Sequence, residues 1–381
     1  MEFLGILAFV VALLLSVMVH EFGHFITARR YGMKVSEFFV GFGKRIWSVQ
    51  RGETEFGFKA IPAGGYCKIE GMTPNDQMPE GQEHRAFYKA SSGKKLVVLG
   101  AGSFLHFVLG YLLLFVLFAG VGTYQNLPVI GAIVPNTAAQ SAGIQVGDEV
   151  ISINGVKVTA WDKDVERIRN SQGKELTLEL LRDGQNITIT ATPRLTEVEG
   201  KNRYVLGIVN TKGLKRSGIV ESSSNAFTAT RSLIVESVKS LVSLPSKIPA
   251  LWGQTVGGEE RDANGLVGVV GVARVSGEAI GSSDLTGSER WATFLLIIAS
   301  LNIFVGIFNL LPILPLDGGH MAVAIADEIR ALFARIRGRA RPAAIDVTVL
   351  TPVTMVVFVI LACLTLLLLV ADVINPVTLN L

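Results

Sequence analysis

The residues with the clearest chemical potential lie within the first 24 positions. His20 and His24 flank a carboxylate in the run His20-Glu21-Phe22-Gly23-His24. Side chains four apart on a helix share one face, a turn apart, so both imidazoles can reach one metal ion. Glu21 between them can then reach a water at that ion, the arrangement of two zinc ligands and a general base for hydrolysis. The flanking sequence is apolar from Phe3 to about Ile26. Ionisable groups in such a span are costly unless they are paired, which marks them as a functional cluster.

A catalytic zinc takes three protein ligands and keeps one position open. No further histidine follows His24 at short spacing, so the third ligand comes from a distant segment. Asp317 is the strongest candidate. It closes the run Asn309-Leu-Leu-Pro-Ile-Leu-Pro-Leu-Asp317-Gly318-Gly319, where Pro312 and Pro315 must break or kink a helix and the glycines allow a turn. The rivals are His106 in an apolar span, His84 in a polar loop and His320 beside Asp317.

The elements that must carry these groups are membrane spans. The 381-residue chain is 49% hydrophobic and 18% charged, with a mean hydropathy of +0.45, too apolar for an ordinary soluble enzyme. Four runs approach or exceed the roughly 20 residues that cross a bilayer: Phe3 to about Ile26, Leu96 to Val121, Trp291 to Leu311 and Val347 to Val373. The first lacks a basic leader and a small-residue cleavage site before Arg29-Arg30, so it reads as a retained span. Basic residues cluster beside spans in two loops, at Arg29, Arg30, Lys34, Lys44, Arg45, Lys94 and Lys95, and again at Arg330, Arg335, Arg337, Arg339 and Arg341. The positive-inside rule puts both loops in the cytoplasm and both termini outside. His20 and His24 then share a depth with Asp317, at the cytoplasmic ends of spans one and three.

Between spans two and three the pattern changes. Residues 124–210 alternate in short strands, with Asn154-Gly155 and Asp183-Gly184 as tight-turn dipeptides. Residues 217–288 read as an amphipathic helix, with Ile234, Val238, Leu241 and Val242 at helical spacing, followed by a Gly-rich linker. The helix suits a membrane surface or packing against the β-rich part. The loop of residues 29–95 holds strand-like pieces over Ser36 to Gly43, Ile46 to Val49 and Glu55 to Ile61, whose phenylalanines suit membrane-associated β-hairpins.

The expected fold is a polytopic α-helical membrane protein of about four transmembrane helices with an inserted small β-rich domain. Its divisions fall at residues 1–28, 29–95, 96–121, 124–210, 217–288, 291–319, 320–346 and 347–373. The net charge of +3 is small and no basic run interleaves aromatics, so nucleic acid is not a partner; lipid is. Cys67 and Cys363 lie in unlike settings, which argues against a disulfide framework or a thiolate metal site.

The combination resembles the site-2 protease family of intramembrane zinc metalloproteases, of the bacterial regulator-of-sigma-E-protease type. The resemblance rests on His20-Glu21-x-x-His24, Asn309-x-x-Pro312 leading to Leu316-Asp317-Gly318, and the loops Gly41-Phe42-Gly43 and Pro62-Ala63-Gly64-Gly65-Tyr66. It implies Zn2+ held by His20, His24 and Asp317, with Glu21 activating water. Asn309 and the Gly41-Phe42-Gly43 loop are implied in holding substrate. The stretch from Pro135 to Gly155 resembles a permuted bacterial PDZ domain, which implies a peptide groove along Leu206-Gly207-Ile208. The family often has Gly-Pro-x-x-Asn in the second span, where this chain has Gly102-Ser103-Phe104-Leu105-His106, so His106 stays a candidate site residue. The implied substrates are single-span membrane proteins such as anti-sigma factors already trimmed by a site-1 protease, and leftover signal peptides. The implied location is the cell (inner) membrane. A non-catalytic peptide-binding scaffold and a peripheral thermolysin-like enzyme are the competing classes; an intact zinc set opposes the first and the apolar setting of the histidines opposes the second.

Overall fold

The computed structural model describes residues 1–198, 200–262 and 265–377. Two compact units are present, Met1–Ala119 with Gly218–Leu381, and Gly120–Ser217. Among the described residues four helices are long and apolar enough to cross a membrane: Glu2–Arg30, Ser92–Val121, Gly287–Asn309 and Val347–Ile374.

The first helix, α1 (Glu2–Arg30), is followed by two long strands, β1 (Val35–Arg51) and β2 (Thr54–Ile69). Both strands bend back on themselves. Residues 37–40 pair with 65–68 on one side and 55–58 on the other, while 45–51 pair with 54–59. The result is four paired segments in the order 45–51, 54–59, 35–40, 65–69. Gly41 and Gly43 adopt positive φ where β1 reverses, and the Cβ that Gly41 lacks would meet the Ile61 carbonyl at 2.7 Å. One end of this sheet packs on α1 through Phe25, which contacts Phe38 and Phe56. At the other end Phe42, Ile46, Trp47, Phe58 and Ile61 are exposed. The helix α2 (Ser92–Val116) follows and continues as a π-helical turn, Leu117–Val121. Ala28, Val35, Ile69, Val98 and Leu99 form a buried cluster that fastens α1, the sheet and α2 together.

The second unit contains β3 (Thr123–Ile133), the short helix α3 (Ala138–Ser141), β4 (Glu149–Ile153), β5 (Val156–Lys157), α4 (Trp161–Arg169), β6 (Leu176–Arg182), β7 (Gln185–Ala191), β8 (Arg194–Val198), β9 (Lys201–Val205) and β10 (Ile208–Lys215). Its main sheet runs β10-β3-β4-β6-β7, with β5 on β4. Asn154-Gly155 and Asp183-Gly184 are two-residue turns with all four residues at positive φ, as expected from the dipeptides. Ile130, Val150, Ile153, Leu178, Leu180 and Leu206 fill a core of its own. Gly207 has positive φ, and a side chain there would strike Thr137 within 2.4 Å.

The chain then forms α5 (Ile219–Val256), α6 (Val269–Gly281), α7 (Gly287–Asn309), α8 (Asp317–Ile336) and α9 (Thr351–Ile374). The amphipathic stretch is one long helix, α5, packed on α2, α7 and α9. The linker reading of the following residues is corrected: α6 occupies part of it, while Ala263 and Asn264 lie outside the described residues. Its glycines serve close packing rather than flexibility. A Cβ on Gly5 would lie 2.9 Å from the Gly277 Cα, and one on Gly277 would meet Ile6 at 2.7 Å, the small-residue contact that draws membrane helices together. The loop expected over residues 320–346 also contains helix, since α8 reaches Ile336. On α9, Val353, Phe358, Ile360 and Leu366 are exposed to surroundings that only lipid can solvate.

One electrostatic prediction concerns the β unit. Asp148 is buried and accepts two parallel bonds from Arg182, each 2.7 Å, and one from the Gln145 N–H at 2.8 Å. The Arg182 guanidinium holds its carboxyl below the usual carboxylate range. The folded state therefore binds fewer protons than the unfolded chain between that lowered value and about pH 4, so the pair stabilises above this window and its contribution is lost as pH falls through it. Asp148→Asn should speed amide exchange along β4 at neutral pH, read by mass spectrometry of the intact protein. The gap from wild type should narrow on acidification; a gap unchanged in acid would show that shape, not charge, matters.

Candidate active site

His20 and His24 lie on the inner face of α1, buried, with their Nε2 atoms 3.1 Å apart. Asp317 is the first residue of α8, and its Oδ2 lies 3.2 Å from His20 Nε2 and 3.3 Å from His24 Nε2. The ligand atoms of the three fall within 4.8 Å of one another. Two segments separated by nearly the whole chain thus deliver two imidazole nitrogens and a carboxylate oxygen to one point.

Close backbone packing produces this convergence. A Cβ on Gly23 would lie 2.6 Å from the Ala101 carbonyl oxygen, so α1 and α2 touch there main chain to main chain. That approach lets His24 Nδ1 donate to the Val98 carbonyl at 2.8 Å, which leaves Nε2 with the lone pair that a metal needs. His20 Nδ1 is buried with no hydrogen-bond partner among the described residues. Its ring is fixed by contact instead: a Cβ on Gly102 would lie 2.5–2.8 Å from three of its atoms. Gly318 and Gly319 are not turn residues, as the sequence suggested, but form the first turn of α8. Side chains there would meet the Leu310 carbonyl at 2.3 Å and the Leu314 nitrogen at 2.5 Å. The prolines end α7 at Asn309, and the glycines let α8 start against that end.

A cavity of about 240 Å3 opens beside the cluster, with Val17, Glu21, His106, Asn309 and Pro315 in its lining. Glu21 is half-buried on α1, and the Cys67 N–H of the 65–69 segment is directed at its carboxylate. His106 is buried with its ring centroid 5.0 Å from that of His20, but it is not in the converging group. His320 also stays outside that group, and His84 is exposed in the 3-10 turn Glu83–Arg85. The residues of Gly41-Phe42-Gly43 sit at the reversal of β1 and do not line the cavity. Leu206, Gly207 and Ile208 belong to the β unit. Asn302, buried on α7 and bonded to His106 at 2.9 Å, is a site-supporting residue that motif reading missed. Its amide in an apolar span was the available signal.

Two converging imidazole nitrogens, one carboxylate and an adjoining cavity for a fourth ligand suit zinc in a catalytic setting. Sequence comparison matches residues 8–355 to Peptidase family M50. The chain belongs to that family. Zinc metalloprotease Rip1 of Mycobacterium tuberculosis is 33% identical over 410 residues, covering 98% of each chain. Zinc metalloprotease Rip1 of Mycolicibacterium smegmatis is 33% identical over 411 residues with the same coverage. This M50 peptidase is accordingly a membrane zinc metalloprotease of the site-2 protease family.

The glycine packing in this M50 peptidase yields a test. Gly102→Ala places a methyl in the His20 ring, whose Nδ1 has no hydrogen bond to hold it. Zinc affinity should fall about 10- to 100-fold, measured by metal content and chelator competition, with helical circular dichroism preserved. Wild-type affinity would show that the packing yields without moving His20.

Proposed function

We propose that this chain hydrolyses a peptide bond within a substrate's own membrane span, with His20, His24 and Asp317 holding the zinc and Glu21 as general base. The observation that carries the reading is the convergence of those three ligand atoms within 4.8 Å beside a cavity that Glu21 and Asn309 also line. Zinc, when bound, polarises the scissile carbonyl and acidifies the attacking water. Glu21 takes the proton from that water and returns it to the departing amine. Asn309, at the broken end of α7, holds the substrate backbone by side-chain hydrogen bonds.

A helical substrate must unwind before its carbonyl is exposed. A sheet edge stabilises the unwound strand by main-chain pairing. The piece over Glu55 to Ile61 is not such an edge in its first half, since 55–58 are paired on both sides. The outer segments are 45–51 and 65–69, and the second lies beside Glu21. The exposed Phe42, Ile46, Trp47, Phe58 and Ile61 suit a sheet tip dipping into lipid, with the Gly41-Phe42-Gly43 reversal close to the substrate span. The basic loops support an orientation in the cell (inner) membrane with the metal site toward the cytoplasm and the β unit outside. The β unit is proposed as PDZ-like, with a peptide groove along Leu206-Gly207-Ile208. Its order of strands, with β10 pairing β3 from the far end of the unit, agrees with a permuted arrangement. The favoured substrates are single-span proteins such as anti-sigma factors already trimmed outside by a site-1 protease.

Glu21→Gln should retain zinc while cleavage of a membrane-spanning reporter falls by at least about 100-fold; retained cleavage would refute the base assignment. Asp317→Ala should purify with less zinc. Unchanged metal content there, with loss on His106→Ala, would transfer the third position to His106.

A further inference from the structure

The hydrogen bonds leading inward from His106 run in one fixed direction. Carbonyl oxygens only accept. Ser16 Oγ donates to the Ala12 carbonyl at 2.8 Å, so its oxygen is free to accept from Asn302 Nδ2 at 3.0 Å. The same amide nitrogen donates to the Ile298 carbonyl at 2.8 Å. Both hydrogens of the amide are then engaged, and the atom 2.9 Å from His106 Nδ1 is the acceptor Oδ1. His106 therefore donates from Nδ1, and in the neutral ring its Nε2 carries a lone pair. All three side chains, at 4%, 1% and 2% exposure for Ser16, Asn302 and His106, are shut off from solvent that would blur this order.

That lone pair belongs to a residue lining the same cavity as Glu21. Among the described residues the hydrogen bond of this ring is made at Nδ1, the ring lines the cavity, and His106 lies outside the three-residue ligand group. A buried histidine kept only for packing would have its second nitrogen paired as well. We propose that His106 Nε2 is a second hydrogen-bond acceptor for the attacking water. It holds the hydrogen that Glu21 does not take and so turns the water's lone pair toward the scissile carbonyl. No proton moves to His106: one passes from water to Glu21 and on to the departing amine, and the other stays on the new carboxyl group until it ionises into solvent. His106 is in this sense a catalytic residue, and Asn302 and Ser16 are positioning residues that fix its tautomer.

The proposal rests on Glu21 as base, so Glu21→Gln is measured beside it. The assay uses the full-length protein with a membrane-spanning reporter, together with zinc content and the visible spectrum of the cobalt-substituted protein. His106→Leu should keep its zinc and its KM, lose about 10- to 100-fold in kcat, and alter the cobalt spectrum. Asn302→Leu should lower kcat in the same direction, and the double variant should be no worse than His106→Leu alone. His106→Gln, which retains an acceptor, should recover part of kcat. Zinc loss in His106→Leu would make it a ligand and overturn the proposal; so would a raised KM at unchanged kcat, or an unaltered cobalt spectrum. Wild-type kcat in His106→Leu beside an inactive Glu21→Gln would sink this proposal alone, whereas an active Glu21→Gln would sink the base assignment beneath it. Should His106→Leu fail to fold, His106→Gln and Asn302→Leu carry the same comparison.

Discussion

A polar group surrounded by lipid has no partner but protein, and much of the membrane unit answers that constraint. His20, His24 and Asp317 face one another rather than solvent. For them to meet, α1 must touch α2 and α8 must start against the end of α7. Each approach is made where a glycine removes a side chain: Gly23 against Ala101, Gly102 against His20, and Gly318 and Gly319 against the loop after α7. The metal-site geometry is thus a consequence of main-chain packing distances. A single methyl at these positions acts on the site without altering any of its chemical groups.

The site was largely legible because its groups are rare in their setting. Two histidines and a glutamate in an apolar run stand out by cost alone, and Pro312 with Pro315 announce the break that puts Asp317 at the head of a helix. The supporting contacts were not legible, because they depend on which helix faces which. Nothing in the sequence of α2 says that the Val98 carbonyl meets His24 Nδ1, or that Gly102 is the floor beneath His20. The chain's departure from the family's pattern at His106 was visible. Its pairing with Asn302, 196 residues away, was not.

The same division holds for the fold. Turn dipeptides such as Asn154-Gly155 specify local dihedral angles, so the hairpins they close are determined by two residues. Glycine composition, by contrast, carries two opposite meanings. Between α5 and α7 it suggested a linker, yet Gly271, Gly277 and Gly281 are the surfaces by which α6 meets its neighbours. Flexibility and close packing both favour a missing side chain, and only the tertiary partner distinguishes them. The reversals that turn β1 and β2 into four paired segments were hidden for a related reason, since strand periodicity does not say which segments lie side by side.

The imidazoles of His20, His24 and His106 show how far this logic extends. His24 has its inner nitrogen bound to a carbonyl, and His106 has its inner nitrogen bound to an amide whose own hydrogens are engaged. Both rings therefore present Nε2 as a lone pair, one from α1 and one from α2. His20 lacks such a bond and depends on the wall that Gly102 provides. A hydrogen bond fixes both orientation and tautomer, whereas a contact fixes orientation alone. Of the two histidines with fixed tautomers, only His24 points its lone pair into the cluster with Asp317. The other has an equally prepared nitrogen with no hydrogen bond to it among the described residues, which is why a water in the cavity is its proposed partner.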